Sequence, residues 1–148
     1  MSKGKELPFA TTLLVRDTCL CLHLQRAARA VARRFDEAFR PLGLTNGQFS
    51  LLMSLNRPEP PTMGSVADLL AMDRTTLTAA LKPLERRGLA KVAVDPDDKR
   101  SRRLILTRAG EKLLAAAMPI WTREHTVLDQ ILGKANVDHM RRDLQTLS

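Results

Sequence analysis

Residues 73–110 read DRTTLTAALKPLERRGLAKVAVDPDDKRSRRLILTRAG, and this stretch decides the fold. Asp73 opens it as a helix N-cap, with Thr76 at the third helical position, where a carboxylate can accept from a backbone N–H that has no partner inside the helix. Leu77, Ala80, Leu81 and Leu84 then recur at three and four, the period of a helix that buries one face, and Gly88 stops it after Arg87. Pro83 predicts a kink, because an interior proline loses one hydrogen bond and clashes with the carbonyl of Ala79, a cost of about 3 kcal/mol in a regular helix. The kink falls beyond Arg74 to Thr78. Past Gly88 the period changes to two. Ala90, Val92 and Val94 lead into the polar turn Asp95-Pro96-Asp97-Asp98-Lys99, and beyond it Leu104 and Leu106 alternate with Arg103 and Ile105. Alternation on both sides of a turn predicts a two-stranded hairpin.

Upstream, Gly64 to Ala71 predicts a short helix with Val66, Leu69 and Leu70 facing inward. Two helices a residue or two apart, the second ending in glycine, have the spacing of a helix-turn-helix. The run Arg57-Pro58-Glu59-Pro60-Pro61 before them is a rigid linker that a helix cannot enter. Before the linker, Thr45 and Gln48 form a capping-box pattern ahead of Phe49, Leu52 and Leu55. A first helix of about six turns is expected from Asp17, on the spacing of Leu20, Leu24, Ala27, Ala28, Val31, Phe35, Ala38 and Phe39, and Pro41 and Gly43 end it. Residues ahead of Arg16, with Pro8 among them, read as a loose arm. Downstream, Thr107 caps a long helical region expected to break or kink near Pro119 and to end around Gly133. Asn136 is then a candidate cap for a last short helix carrying Val137, Met140 and Leu144.

The 148 residues make one domain's worth of chain, able to bury roughly 70% of the surface exposed when unfolded. A composition 44% hydrophobic and 27% charged excludes disordered and fibrous classes, and the aromatic content of 3%, with no tyrosine, suits a Leu/Ala/Arg-rich helical chain. The net charge of +8 points to an acidic partner. Lys99, Arg100, Arg102, Arg103 and Arg108 concentrate it in a segment with no negative residue. Because that block lies in a strand-like region and not on an amphipathic helix, nucleic acid fits better than a membrane surface. No apolar run of membrane-spanning length occurs and the N-terminal apolar stretch is too short for a signal peptide, so a cytoplasmic chain with reduced Cys19 and Cys21 is expected.

A helix-turn-helix followed by a basic hairpin is a winged-helix arrangement, mainly α with a small β wing. The first turn of its second helix carries Arg74, Thr75, Thr76 and Thr78, groups suited to base edges in the major groove, while Lys82, two turns along, suits phosphate. In the wing, Asp98 lies two residues before Arg100 and is expected to hold its guanidinium, with Arg102 and Arg103 on phosphates.

These motifs, in this order, resemble the MarR family of bacterial transcription regulators: the helix-turn-helix, LERRGL at 84–89, D-x-R at Asp98-Lys99-Arg100, and L-T-x-x-G from Leu106 to Gly110. The flanking long helices and total length extend the resemblance over nearly the whole chain. It implies a single domain over 1–148, with dimerisation helices at 16–42 and 108–148 around a winged helix-turn-helix at 45–107. It further implies a homodimer on a pseudo-palindromic operator, and an Arg100 that enters the minor groove. Leu22 beside Leu20 and Leu24, and the late apolar set Val127, Leu128, Ile131, Met140, Leu144 and Leu147, are consistent with interlocking helices.

The resemblance also implies a repressor that answers to a small aromatic or anionic ligand, for which His23, Arg26, Phe39, Phe49 and Trp121 are candidates. In the family's peroxide-sensing branch a reactive cysteine stands eight residues before an arginine, and Cys21 to Arg29 has that spacing, so a thiol-based sensor is an alternative. That branch uses partner-chain tyrosines, which this sequence lacks. A sequence-independent architectural protein using the same charge is a further alternative. No enzyme is expected: Cys21 as nucleophile and His23 as base, two residues apart on a helix, face away from each other, and the sequence shows no glycine-rich phosphate loop, metal cluster or nucleophile elbow. No cofactor is expected, and no metal site either, since no pair among Cys19, His23, His125 and His139 has structural-zinc spacing.

Overall fold

The computed structural model of the chain describes residue 4 and residues 6–148, so the first residues of the expected arm lie outside the described residues. From Phe9 on, the expected arm is helical. Helix α1 runs Phe9–Thr18, with Pro8 in extended conformation just before it. A proline there removes an N–H that would be unpaired in any case, so it starts this helix instead of excluding it. Cys19 breaks the chain with extended backbone (ψ 108°), and α2 runs Leu20–Phe39. The helix expected from Asp17 is α2, which starts three residues later at Leu20, and the additional helix α1 occupies the expected arm. Helix α1 buries none of its residues, while α2 buries Phe35 and Phe39 at its far end.

A turn of 3-10 helix at Arg40–Leu42 and Gly43, in the left-handed region (φ 62°), lead to α3 (Asn46–Leu55). The capping box that opens α3 has both expected bonds, Gln48 N to Thr45 Oγ1 and Thr45 N to Gln48 Oε1, each 3.1 Å. Helix α4 (Met63–Leu70) is capped by Thr62, and α5 (Arg74–Arg86) by Asp73. Strands β1 (Ala90–Val94) and β2 (Arg102–Leu106) pair antiparallel, Ala90 opposite Leu106 and Val94 opposite Arg102. The linker adds a short third rung: Leu104 N donates to Pro61 O at 2.9 Å, and Thr62 bridges to Arg103.

Helix α6 (Arg108–Leu132) and α7 (Lys134–Leu147) complete the chain. Neither Pro83 nor Pro119 ends its helix: α5 runs on to Arg86 and α6 to Leu132. Around Pro83 the fully buried Leu81 and Leu84 hold the turn in the core, an anchorage strong enough to offset one missing bond. Asn136 does not cap α7, which begins two residues earlier. Its Nδ2 donates to Leu132 O at 2.7 Å and so closes the end of α6.

The core gathers Phe39, Leu51, Leu52, Val66, Leu77, Leu81, Leu84 and Leu104, one or more from each of α2, α3, α4, α5 and β2. Leu69, expected inward, is 62% exposed; α4 buries Val66 and Ala67 instead. Helix α6 is joined to the recognition unit at Thr107 and Gly110. Thr107 Oγ1 accepts from Gly110 N at 3.1 Å and donates to Gly88 O at 2.6 Å, and a Cβ on Gly110 would lie 2.3 Å from Leu89 O. Among the described residues no helix is long and apolar enough to cross a membrane.

Candidate nucleic-acid interface

Helix α5 starts where a short turn from α4 delivers it. Ala71 ends α4 in the left-handed region, Met72 N returns to Ala67 O at 2.9 Å, and Asp73 takes up Thr76 N at 2.7 Å. The Thr76 backbone and side-chain hydrogen bonds hold the Asp73 carboxyl below its ordinary value of 3.8. The cap's contribution to stability is therefore present above that value and is lost as pH falls through the lower folded one.

Arg74, Thr75, Thr76 and Thr78 are all exposed, as is Lys82. Thr78 Oγ1 donates its proton back to Arg74 O at 2.7 Å, which leaves its lone pairs to accept from a base or a phosphate-bound water. The Arg74 guanidinium lies over Gly64 of α4, with Nη2 3.1 Å from the place a Cβ would occupy there. A larger residue at 64 would displace the longest side chain of this turn.

The wing is organised differently from the expectation at two arginines. Asp98 Oδ1 accepts from the backbone N of Arg100 at 3.0 Å and does not hold the guanidinium. A short carboxylate reaches the amide two residues on more readily than a long, flexible fork that leaves the turn, so Asp98 shapes the loop. Ser101 N to Asp98 O (2.9 Å) and Asp95 N to Ser101 O (3.1 Å) close the same loop. Arg100 is left exposed, and among the described residues no hydrogen bond engages its side chain. Arg102 is exposed and folds one arm onto Lys99 O and Ser101 O at 3.2 Å each. Arg103, expected on phosphate, is half-buried. Its Nε donates to Asp95 Oδ2 at 3.0 Å and its Nη1 to Pro60 O at 2.9 Å, because the linker covers that face of β2.

The sensing candidates separate into two places. Phe39, Phe49 and Trp121 converge on a cavity of about 190 Å³ between α2, α3 and α6, together with Val31, Phe35, Asn46, Ser50 and His125. Phe39 stacks on Phe49 (centroids 4.9 Å, 27°), and Trp121 faces His125 at 4.7 Å. His125, in the sequence only a metal candidate, stands four residues after Trp121 on an α6 face, and that spacing is the signal that both share a wall. His23 and Arg26 are exposed on the first half of α2, away from this cavity, and His23 Nδ1 lies 2.7 Å from Cys19 O. Cys21 is an exposed free thiol whose Sγ accepts from Gln25 Nε2 at 3.4 Å, and Cys19 is partly exposed at the α1–α2 break.

A profile of the MarR family matches residues 44–101. The transcriptional regulator HosA of Escherichia coli O111:H- is 32% identical over an alignment of 105 positions that covers 64% of this chain and 76% of HosA. Against another curated relative, a helix-turn-helix-type regulator of Bacillus subtilis, the chain spans 64% of that protein's length. Among solved structures, the M. tuberculosis transcriptional regulator MosR in complex with DNA is 36% identical with a TM-score of 0.79, covering 87% of this chain and 92% of MosR. The transcriptional repressor CouR bound to a 23-mer DNA duplex is 32% identical with a TM-score of 0.80, covering 97% of this chain and 99% of CouR. CouR has also been solved with p-coumaroyl-CoA, at 32% identity and a TM-score of 0.76 over 86% of this chain and 90% of that one.

Proposed function

The chain belongs to the MarR family of DNA-binding transcription regulators, and from that premise we propose that it is a homodimeric repressor whose grip on its operator is loosened by a small aromatic or anionic ligand. The observation that carries this reading is the pairing of an exposed, capped first turn of α5 with a neighbouring hairpin whose tip carries an unengaged Arg100. Arg74, Thr75, Thr76 and Thr78 read base edges in the major groove, and Arg100 enters the minor groove, where a narrow A·T-rich stretch concentrates negative potential. Lys82 and Arg102 contact phosphates. The DNA complexes of MosR and CouR support this use of the fold.

The aromatic cavity supports the ligand. Its walls are rings from α2, α3 and α6, with Asn46, Ser50 and His125 as polar groups, and its volume suits one ring. CouR, a repressor solved both with DNA and with p-coumaroyl-CoA, supports the link between ligand and release. Because the cavity is bounded by α3 on one side and by α2 and α6 on the other, an occupant acts on the joint between the DNA-reading half and the long helices.

The test is a titration against the DNA upstream of the protein's own gene, at physiological salt with excess nonspecific competitor. Wild-type binding is expected to survive the competitor, and Arg100→Ala to weaken it by roughly 1–3 kcal/mol with an unchanged circular dichroism spectrum. Unchanged affinity in the variant would remove the minor-groove role, and binding erased by competitor would leave a sequence-independent architectural protein.

A further inference from the structure

Among the wing's arginines, Arg103 is committed within the protein. Asp95, 4% exposed, divides its carboxylate between two donors: Oδ1 accepts from Asp97 N at 3.0 Å and Oδ2 from Arg103 Nε at 3.0 Å. Arg103 Nη1 reaches on to Pro60 O at 2.9 Å. One planar guanidinium thus joins the exit of β1, the middle of β2 and the proline linker that enters α4. Two backbone ties run alongside it, Leu104 N to Pro61 O and the Thr62 bridge to Arg103. A two-stranded hairpin is marginal by itself, so what anchors its loop end, where Asp95 follows the Val94–Arg102 pair, decides where its tip points. Lysine could not replace this arginine, since a single ammonium lacks the rigid fork that serves two separated acceptors.

We infer that Asp95 and Arg103 form a clamp which sets the wing against the helix-turn-helix, making Arg103 a positioning residue for DNA recognition and not a phosphate contact. This rests on the reading that the wing tip carries Arg100 into the minor groove. The clamp inverts a simple electrostatic expectation. Asp95 is a negative charge in a basic wing, so on charge alone its removal strengthens DNA binding. Through the clamp its removal weakens specific binding, because the wing then samples orientations in which Arg100 misses its groove.

The experiment measures affinity for the specific operator and for a nonspecific duplex across a salt series, with wild type, Asp95→Ala, Arg103→Gln, Arg103→Lys and the Asp95→Ala/Arg103→Gln double variant. If a third of the unclamped wings are competent, the two wings of a dimer together make Asp95→Ala and Arg103→Gln each bind the specific site about tenfold more weakly. The double variant is expected to be no worse than either single, since both remove one device. The slope of log affinity against log salt is expected to stay at the wild-type value in Arg103→Gln, and Arg103→Lys, which keeps the charge, is expected to lose affinity as well. Asp95→Ala binding as tightly as wild type or tighter overturns the clamp. So does an Arg103→Gln slope reduced by about one per protomer, or full rescue by lysine, for either marks a phosphate contact.

Hydrogen exchange of the free protein separates this inference from the reading it rests on. Even where Arg100→Ala shows no minor-groove role, Asp95→Ala is expected to speed exchange of the Asp97, Ser101 and Leu104 amides. Unchanged exchange at those amides overturns the clamp.

Discussion

Ala71 is the one non-glycine residue with positive φ among the described residues (52°), and it is the turn of the helix-turn-helix. The left-handed conformation costs an L-residue roughly 1–2 kcal/mol. Glycine escapes that cost but gives up about 0.5–1 kcal/mol of chain entropy relative to alanine. Ala71 is exposed, so no packed methyl is lost on substitution. Ala71→Gly is therefore expected to stabilise the fold by about 0.5–1 kcal/mol in urea unfolding without changing operator affinity; a destabilised variant would show that the turn is not strained. The residue scale is also where sequence reasoning was least complete at the wing. Arg102 and Arg103 are chemically identical neighbours in the sequence, yet one is exposed and the other spent on Asp95 and Pro60. A partner 43 positions upstream is invisible to any local pattern. Asp98 was legible as a residue that matters to Arg100 but not in which of its groups, because side-chain reach in a turn is settled by backbone geometry that composition does not encode.

The junction of the wing with α6 shows what an element boundary demands of its residues. Thr107 caps α6 through Gly110 N, donates to Gly88 O, and its own N bonds Leu89 O at 3.1 Å. This draws the first turn of α6 so close to Leu89 that a Cβ at 110 would sit 2.3 Å from its carbonyl oxygen and 2.7 Å from a Leu106 methyl. The Leu106 methyl can turn aside, but the Leu89 backbone cannot yield. Gly110→Ala is expected to cost about 1–3 kcal/mol of stability, read from the urea midpoint, since relief requires α6 to shift off the hairpin. A variant as stable as wild type would show that α6 is free to move there. The boundary was legible because caps are local: Thr45, Asp73 and Thr107 each bond the residue three positions on. The β strands were legible as a change of period with a proline-bearing turn between. Helix α1 was not, because the segment with Pro8 reads as a loose arm although a proline there stands just before a helix start, and Asn136 reads as a cap for the helix after it when its amide serves the helix before. The cavity was half legible: its aromatic residues stood out by type, but only the packing of α2 on α3 and α6 brings them together and leaves His23 and Arg26 outside.

At the scale of the molecule, the described chain is asymmetric in what it leaves uncovered. Phe9, Leu14, Val15 and Leu20 near the chain's start, and Ile131, Met140 and Leu147 near its end, are each at least 46% exposed, whereas α3 keeps Leu51, Leu52 and Leu55 at 2% or less. Helix α1 buries nothing at all and α7 only Val137, so neither helix is held in place by its own protomer's core. Apolar surface of that extent on helices flanking a DNA-reading unit is what an isologous dimer interface covers, and a twofold dimer matches a pseudo-palindromic operator with half-sites about 34 Å apart. Leu14→Asp/Ile131→Asp places two charges on this surface, where both side chains are more than 60% exposed in the protomer and contribute little to its core. Sedimentation is expected to give a dimer for wild type and a monomer for the double variant, with circular dichroism unchanged. Operator affinity is expected to fall by about a hundredfold or more, because joining two half-site contacts multiplies their strength and separating them removes that factor. A wild type that sediments as a monomer would overturn the dimer, and a double variant that remains dimeric with full affinity would place its interface elsewhere on the molecule. A monomeric variant that keeps full affinity would instead detach recognition from dimerisation and make one α5 and one wing sufficient for the site.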